Sequence, residues 1–183
     1  MNSLQIKSIL RPILGESFGG VFASDLLPSK IDKRPCYLVV NTHDHNREGE
    51  HWVGMIVEDE GDGRSNFFDS YGHEPDFLFY PEFFINFLSA NSSEIRYNKL
   101  QVQDDDSSAC GAHVIFFLCQ RFKGLSFQEV MRLYSDNLKK NDDYVTKFVK
   151  KCAKCVSGVK TAKTSNQKAC TLKLFKECYE CSK

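Results

Sequence analysis

Hydrophobic and polar positions fall along this chain in blocks that predict a mixture of short strands and helices. The densest apolar block, Val114-Ile115-Phe116-Phe117-Leu118, leaves no polar helical face. A helix apolar on every side is a buried central helix. It follows an acid-rich loop, 101–106, and a Ser107-Ser108-Ala109 turn in which Ser107 or Ser108 is the expected N-cap. Lys123 and Gly124 supply the cation and the glycine that end a helix. Cys110 therefore falls in the first helical turn.

Upstream, Ser3 is placed to cap a helix through Leu10 that Pro12 closes. Residues 15–35 are rich in Gly and Pro and read as a loop-rich entry. Apolar, β-branched and aromatic runs predict strands at 36–41, 51–57 and 65–70. The second and third of these are joined by a hairpin turn over 58–63. Pro81 suits the first position of a helix that Asn91 stops, and 95–102 is a fourth strand. Downstream, Ser126 and Glu129 form a capping box for a helix to about Asp136. Asn141 is expected to cap an amphipathic helix to about Lys151, with Tyr144, Val145, Phe148 and Val149 inward. Residues 156–167 are linker-like. The fold class is α+β with mostly antiparallel strands. The domain covers 1–151, and 152–183 form a basic, Cys-rich tail.

A length of 183 residues, with 15 Phe and 7 Tyr, suffices for one substantial core. No stretch approaches the ~20 apolar residues of a membrane span, and the first residues carry no signal-peptide pattern. A soluble intracellular protein with no membrane partner is expected. Three of the 8 cysteines are scattered over the first 151 residues and five crowd into the last 32. That placement fits thiols in a reducing compartment (cytoplasm, nucleus or virion) better than a secreted disulfide framework. The net charge of zero conceals a polarity, because 139–183 holds 12 Lys against 4 acidic residues, a net +8. Such a tail can dock non-specifically on DNA or an acidic partner, and is as readily a solvated terminus. Cys152, Cys155, Cys178 and Cys181 form two Cys-x-x-Cys pairs able to hold a structural zinc. Cys170 is left over, and thiols without metal are the favoured reading.

The helix dipole lowers the pKa of a thiol in the first turn and favours the nucleophilic thiolate. Catalysis would further need a base, a group to orient it, and donors for an oxyanion. Among the five histidines, His43 and His45 lie in a polar loop, His73 in another, and His113 one turn beyond Cys110. His51 instead opens a strand at a loop-to-core boundary, just before the single Trp52. Asp69 ends the next strand, after Phe67-Phe68, and a hairpin would bring the two together. Taken singly, a strand-end histidine and a turn acid are ordinary structural residues. Gln103, seven residues before Cys110, lies on a loop that must return to the helix start. An amide there can donate beside the Cys110 backbone N–H, although a surface role is the plainer one.

The ordered set His51, Asp69, Gln103, Cys110 resembles the adenovirus-protease (adenain) family and the wider clan of ubiquitin-like-protein-specific cysteine proteases. Such sequences occur in DNA viruses and large DNA transposons. The matching pieces are Gly20-Val21-Phe22-Ala23-Ser24-Asp25, Val39-Val40-Asn41-Thr42 and Gly49-Glu50-His51-Trp52. They continue with Phe67-Phe68-Asp69-Ser70-Tyr71-Gly72, then Gln103 and Ser107-Ser108-Ala109-Cys110-Gly111, covering roughly 18–122. The resemblance implies a papain-like, adenain-like fold whose central helix carries the nucleophile at its N-terminus. It assigns Cys110 as nucleophile, His51 as general base and acid, Asp69 as the histidine's partner and Gln103 as oxyanion donor. Trp52 would border a narrow groove that accepts glycine. The acid is Asp, as in the ubiquitin-like-protein proteases, where adenoviral enzymes use Glu. The Gln-to-Cys spacing and the Ser-Ala-Cys-Gly turn look more adenoviral. The implied activity is a cysteine endopeptidase cleaving after small residues through a thioester, in viral or transposon polyprotein maturation. Processing of ubiquitin-like modifiers and acyl transfer are alternatives within the clan. A non-catalytic nucleic-acid- or protein-binding module is the alternative outside enzymes. The chemistry calls for no metal and no cofactor, and the relatives suggest DNA or a peptide as activator.

Overall fold

The computed structural model describes residues 1–161 apart from Glu60 and Asp62. Helix α1 (Ser3–Leu14) opens on a capping box between Asn2 and Gln5 and buries Ile6, Ile9, Leu10, Ile13 and Leu14. The expected cap at Ser3 and stop at Pro12 are both corrected. Pro12 lies in the last turn, and Gly15, at φ 57°, closes the helix. The apolar stripe continues past the proline, and burial of Ile13 and Leu14 outweighs the hydrogen bond that Pro12 cannot make.

Five strands follow: β1 (Phe18–Phe22), β2 (Cys36–Asn41), β3 (Trp52–Val57), β4 (Arg64–Phe68) and β5 (Glu94–Tyr97). They form one sheet in the order β1-β2-β3-β4-β5. The two central pairings, β2 with β3 and β3 with β4, are antiparallel. The two outer pairings, β1 with β2 and β4 with β5, are parallel. The fold is therefore α+β with a mixed sheet, which corrects the expectation of a mostly antiparallel one. Parallel neighbours need crossover connections, supplied by residues 23–35 and by 69–93, the latter containing helix α2 (Phe83–Asn91). Within residues 15–35, read as a loop-rich entry, Phe18–Phe22 form the edge strand β1.

Alternation along the strands divides the core in two. Tyr37, Val39, Ile56 and Phe68 point to the layer of α1 and the later helices, while Leu38, Val40, Met55 and Phe67 point to α2. Helix α3 (Cys110–Phe122) fills the centre of the first layer, buried from Cys110 through Gln120. It packs directly on β3 at Gly54, where a Cβ would stand 3.2 Å from a Val114 methyl. Phe117 stacks flat on Phe68, 4.4 Å between ring centroids. The helix has no side-chain cap: Ala109 holds the N-cap position, and the Ser107 hydroxyl accepts instead from the Ala109 N–H at 3.3 Å.

The capping box of Ser126 and Glu129 forms, but its helix, α4 (Phe127–Met131), is shorter than expected. Helix α5 (Leu138–Thr161) is longer. The Asn137 side chain, not Asn141, accepts from the first-turn N–H of Lys140. Val145, Phe148, Val149, Cys152 and Val156 continue its buried stripe past Lys151, so the first part of the stretch read as a linker is helical. Lys139, Lys140, Lys147, Lys150, Lys151 and Lys154 lie on its exposed side. Of the cysteines weighed for zinc, Cys152 is in the core and Cys155 beside it. Cys170, Cys178 and Cys181 lie outside the described residues. Among the described residues, no helix is long and apolar enough to cross a membrane.

Candidate active site

Three elements deliver side chains to one end of the sheet. His51 is the last residue before β3, Asp69 the first after β4, and Cys110 the first of α3. The β3–β4 pairing sets Gly54 opposite Phe68, so the N-terminal end of one strand meets the C-terminal end of the other. His51 Nε2–H donates to Asp69 Oδ1 at 2.6 Å. The imidazole is also hydrogen-bonded to the Cys110 thiol, and with Nε2 taken, Nδ1 is the nitrogen that faces sulfur. The backbone N–H groups of Trp52 and Gly111 are directed at the same sulfur. Thiol, imidazole and carboxylate thus form one chain of contacts, with main-chain donors at its thiol end.

The charges follow from these contacts. Burial alone would push the Cys110 thiol up, but the His51 hydrogen bond and charge, with the two N–H donors, hold it below its ordinary value of 9.0. Burial alone would push His51 down, but hydrogen bonds to Asp69 and Cys110 hold it up at about 9. A lowered thiol beside a raised imidazole favours the thiolate–imidazolium pair at neutral pH.

Asp69 has no exposed surface. Its burial would raise the carboxyl pKa, and His51, the Tyr71 N–H and the Tyr80 hydroxyl outweigh that and lower it. Oδ1 also accepts the Tyr71 N–H at 3.1 Å, and Oδ2 accepts the His73 N–H at 3.0 Å and Tyr80 O–H at 2.8 Å. A buried carboxylate with four donors stays ionised and fixed. Asn98, beyond β5, accepts from the Asp69 backbone N–H at 3.0 Å and pins the chain there.

Gln103 joins this group at one remove. It is 1% exposed, and its Oε1 accepts from the Ser70 hydroxyl at 2.7 Å. Its Nε2 donates to the Ser107 carbonyl at 2.8 Å and to the Tyr71 hydroxyl at 3.2 Å, which occupies both amide hydrogens. Trp52 is half-buried beside the nucleophile. Its indole N–H donates to the Met1 carbonyl at 3.0 Å, and its ring lies 3.4 Å from where a Gly111 Cβ would be.

Of the other histidines, His73 stands beside Asp69, its Nδ1 3.0 Å from Oδ2, and the remaining three are elsewhere. His43 pairs with Glu50 at 3.0 Å and His45 with Asp25 at 2.5 Å, both in the loop before β3. His113 is fully buried, and its Nε2 reaches Asp142 Oδ1 of α5 at 2.7 Å. Burial and the nearby His51 charge hold His113 below its ordinary value against the pull of Asp142. The sequence pattern did not single out Tyr71, Tyr80 or Asn98 for this site. Tyr71 alone carried a signal, as the residue between Asp69-Ser70 and Gly72. No protein-family model matches this chain, and no curated protein matches it.

Proposed function

We propose that this chain is a cysteine endopeptidase of the adenain-like and ubiquitin-like-protein-protease clan, with a papain-like arrangement of its central helix and sheet. The observation that carries this reading is the meeting of Cys110, His51 and Asp69, from three separate elements, at the N-terminus of α3. The Cys110 thiolate attacks the scissile carbonyl carbon, the S–C bond forms, and the carbonyl electron pair moves to oxygen. As that pair returns, the C–N bond breaks, and the His51 imidazolium gives its proton to the leaving amine. Neutral His51 then deprotonates a water, which attacks the thioester, releases the acid and restores the thiolate. Asp69 holds the imidazole in register and stabilises its charge. Trp52, beside Gly111, forms one wall of a cleft that admits glycine near the scissile bond.

The test is labelling of the whole chain with a Gly-Gly peptide vinyl sulfone, read by intact and peptide mass spectrometry. A single adduct on Cys110, absent in Cys110→Ala and much slower in His51→Ala, is expected. Adducts spread evenly over several cysteines would overturn the assignment. Hydrolysis of a polyprotein junction, of a ubiquitin-like precursor, or transfer of the acyl group to an added amine would then decide which substrate class the thioester serves. Retention of the labelled enzyme on DNA, tested by salt titration, would show whether the lysines of α5 contribute a docking surface.

A further inference from the structure

Trp52 reaches the nucleophile twice. Its backbone N–H is directed at the Cys110 sulfur, and its ring atom Cδ1 stands 3.4 Å from where a Cβ on Gly111 would be. The half-buried ring has one polar atom, Nε1, which can only donate. The torsion that turns an indole about its Cβ–Cγ bond is broad, so covalent geometry does not fix the plane of the ring. A hydrogen bond does: Nε1–H donates to the Met1 carbonyl at 3.0 Å. That carbonyl is itself held. It shares a peptide unit with the Asn2 N–H, which donates to the Gln5 side-chain oxygen at 3.0 Å in the capping box of α1. The unit is thus tied to α1 at its N–H and to Trp52 at its oxygen, and donation at one end strengthens acceptance at the other. Met1 Cβ lies 3.4 Å from the same Gly111 position, and Ile6 Cδ1 of α1 lies 3.6 Å from it. Met1, Asn2 and Gln5 are exposed, so their contacts with one another and with the indole do not fill the core.

Resting on the protease reading above, we infer that Met1 is a positioning residue for substrate choice. Its carbonyl, aimed by Gln5, fixes the Trp52 indole and holds the groove beside Cys110 at a width that passes glycine and stops larger residues. Docking of the first residues is then part of the substrate filter. A chain in which they are displaced is a less selective enzyme and not an inactive one. Cys110, His51 and Asp69 stand on α3, β3 and β4, and their contacts do not pass through Met1. The Trp52 backbone stays in place as well, because β3 is held by pairing with β2 and β4 on its two sides. Only the ring gains freedom, so selectivity and chemistry separate.

The experiment compares the full chain with Gln5→Ala, Gln5→Glu and a chain lacking Met1, released from a cleavable fusion. The substrates are a peptidyl-Gly-Gly and a peptidyl-Gly-Ala aminocoumarin amide, with iodoacetamide as a thiol probe. Trp52 is the single tryptophan, so quenching of the intrinsic emission by acrylamide reports its ring alone. In the parent, kcat/KM for Gly-Gly should exceed that for Gly-Ala about 10- to 200-fold, the effect of one methyl group in a shaped pocket. Gln5→Ala should cut that ratio about 2- to 10-fold, the effect of one hydrogen bond, by raising turnover of the Gly-Ala amide. It should also increase quenching. Gln5→Glu, whose carboxylate accepts from the Asn2 N–H in the same way, should restore both. The chain lacking Met1 should lose more of the ratio than Gln5→Ala. Alkylation at Cys110 needs the thiolate but not the groove, and should match the parent throughout. An unchanged ratio in both Gln5→Ala and the shortened chain would overturn the inference, and so would unchanged quenching in the shortened chain. So would equal losses on both substrates with slower alkylation, which would make the first residues a support of the thiolate and not of the groove. Each of these outcomes requires a parent that turns over. A parent that neither hydrolyses the Gly-Gly amide nor alkylates at Cys110 ahead of its other cysteines would instead sink the protease reading itself.

Discussion

Asp69 shows at the scale of one residue how this site stores its charge. A carboxylate without exposed surface is costly unless every lone pair is engaged, and here His51, the Tyr71 and His73 N–H groups and the Tyr80 hydroxyl engage them. Tyr80 is itself pushed well up by burial and by Asp69, so it remains a donor throughout the working pH range. His51, held above its ordinary 6.5, contributes stability in full below 6.5 and loses it as pH rises through about 9. Asp69, held below its ordinary 3.8, contributes above 3.8 and loses it as pH falls through its depressed value. For kcat/KM the same charges give a bell. Activity falls on the acid side as the Cys110 thiolate takes up a proton, below the ordinary thiol value of 9.0. It falls on the alkaline side as the imidazolium is lost near 9. Asp69→Asn keeps the shape and removes the charge. Its alkaline limb should move from about 9 toward 6.5, with kcat lower by roughly 10- to 100-fold. A limb that stays in place in the variant would show that the carboxylate does not set the imidazole's charge.

At the scale of elements, the turn after β4 decides whether those partners are in place. Asp69, Ser70, Tyr71 and Gly72 form a turn closed by the Gly72 N–H to the Asp69 carbonyl at 3.0 Å. Gly72 has φ 79°, and a Cβ there would stand 2.8 Å from the Leu100 carbonyl carbon and 2.9 Å from the Gln101 nitrogen. Backbone cannot swing aside as a side chain can. Gly72→Ala should destabilise by about 2–3 kcal/mol, read as a lower urea midpoint with unchanged slope. Turnover should fall further than the unfolded fraction accounts for, because Asp69 and Tyr71 move with the turn. A midpoint within error of the parent would refute the strain. His51, Asp69 and Cys110 were legible in the sequence as an ordered set, each a polar group at the boundary of an apolar run, although each alone reads as an ordinary structural residue. Strand β2 was legible to the residue, being apolar on both faces and bounded by polar turns. Strand β1 was not: its Gly19-Gly20 pair reads as a loop, while a parallel edge strand needs only backbone bonding to β2. The partners Tyr80 and Asn98 come from a crossover and from beyond an edge strand, positions that no local period marks. Helix α3 was found from its apolar run, but its uncapped start was not. The serines expected to cap it precede the N-cap position, and the Ser107 carbonyl accepts from Gln103 instead.

At the scale of the whole molecule, α5 couples the size of the core to the site. Its first turn reaches the loop that carries Gln103: Asn141 Nδ2 donates to the Val102 carbonyl at 3.1 Å, and Asp142 Oδ2 accepts from the Asp104 N–H at 3.3 Å. Asp142 Oδ1 meanwhile holds His113, one turn beyond the nucleophile on α3. Its far half adds Cys152 and Val156 to the core shared with α1 and α3. A chain cut after Lys151 leaves that core open at its end, and a chain cut after Thr161 does not. Losing two buried apolar side chains costs about 2–4 kcal/mol at the usual value per buried residue, so the 1–151 chain should unfold at clearly lower urea than 1–161. Because α5 frays from its new end toward Asn141 and Asp142, the loss should reach the site as well. The 1–151 chain should show a lower kcat on the same aminocoumarin amide while Cys110 still alkylates. Equal urea midpoints for the two chains would mean that the core closes at Lys151 and that the last turns of α5 are held by it without supporting it. A lower midpoint with kcat intact would separate core from site, and confine the influence of α5 on Gln103 to its first turn.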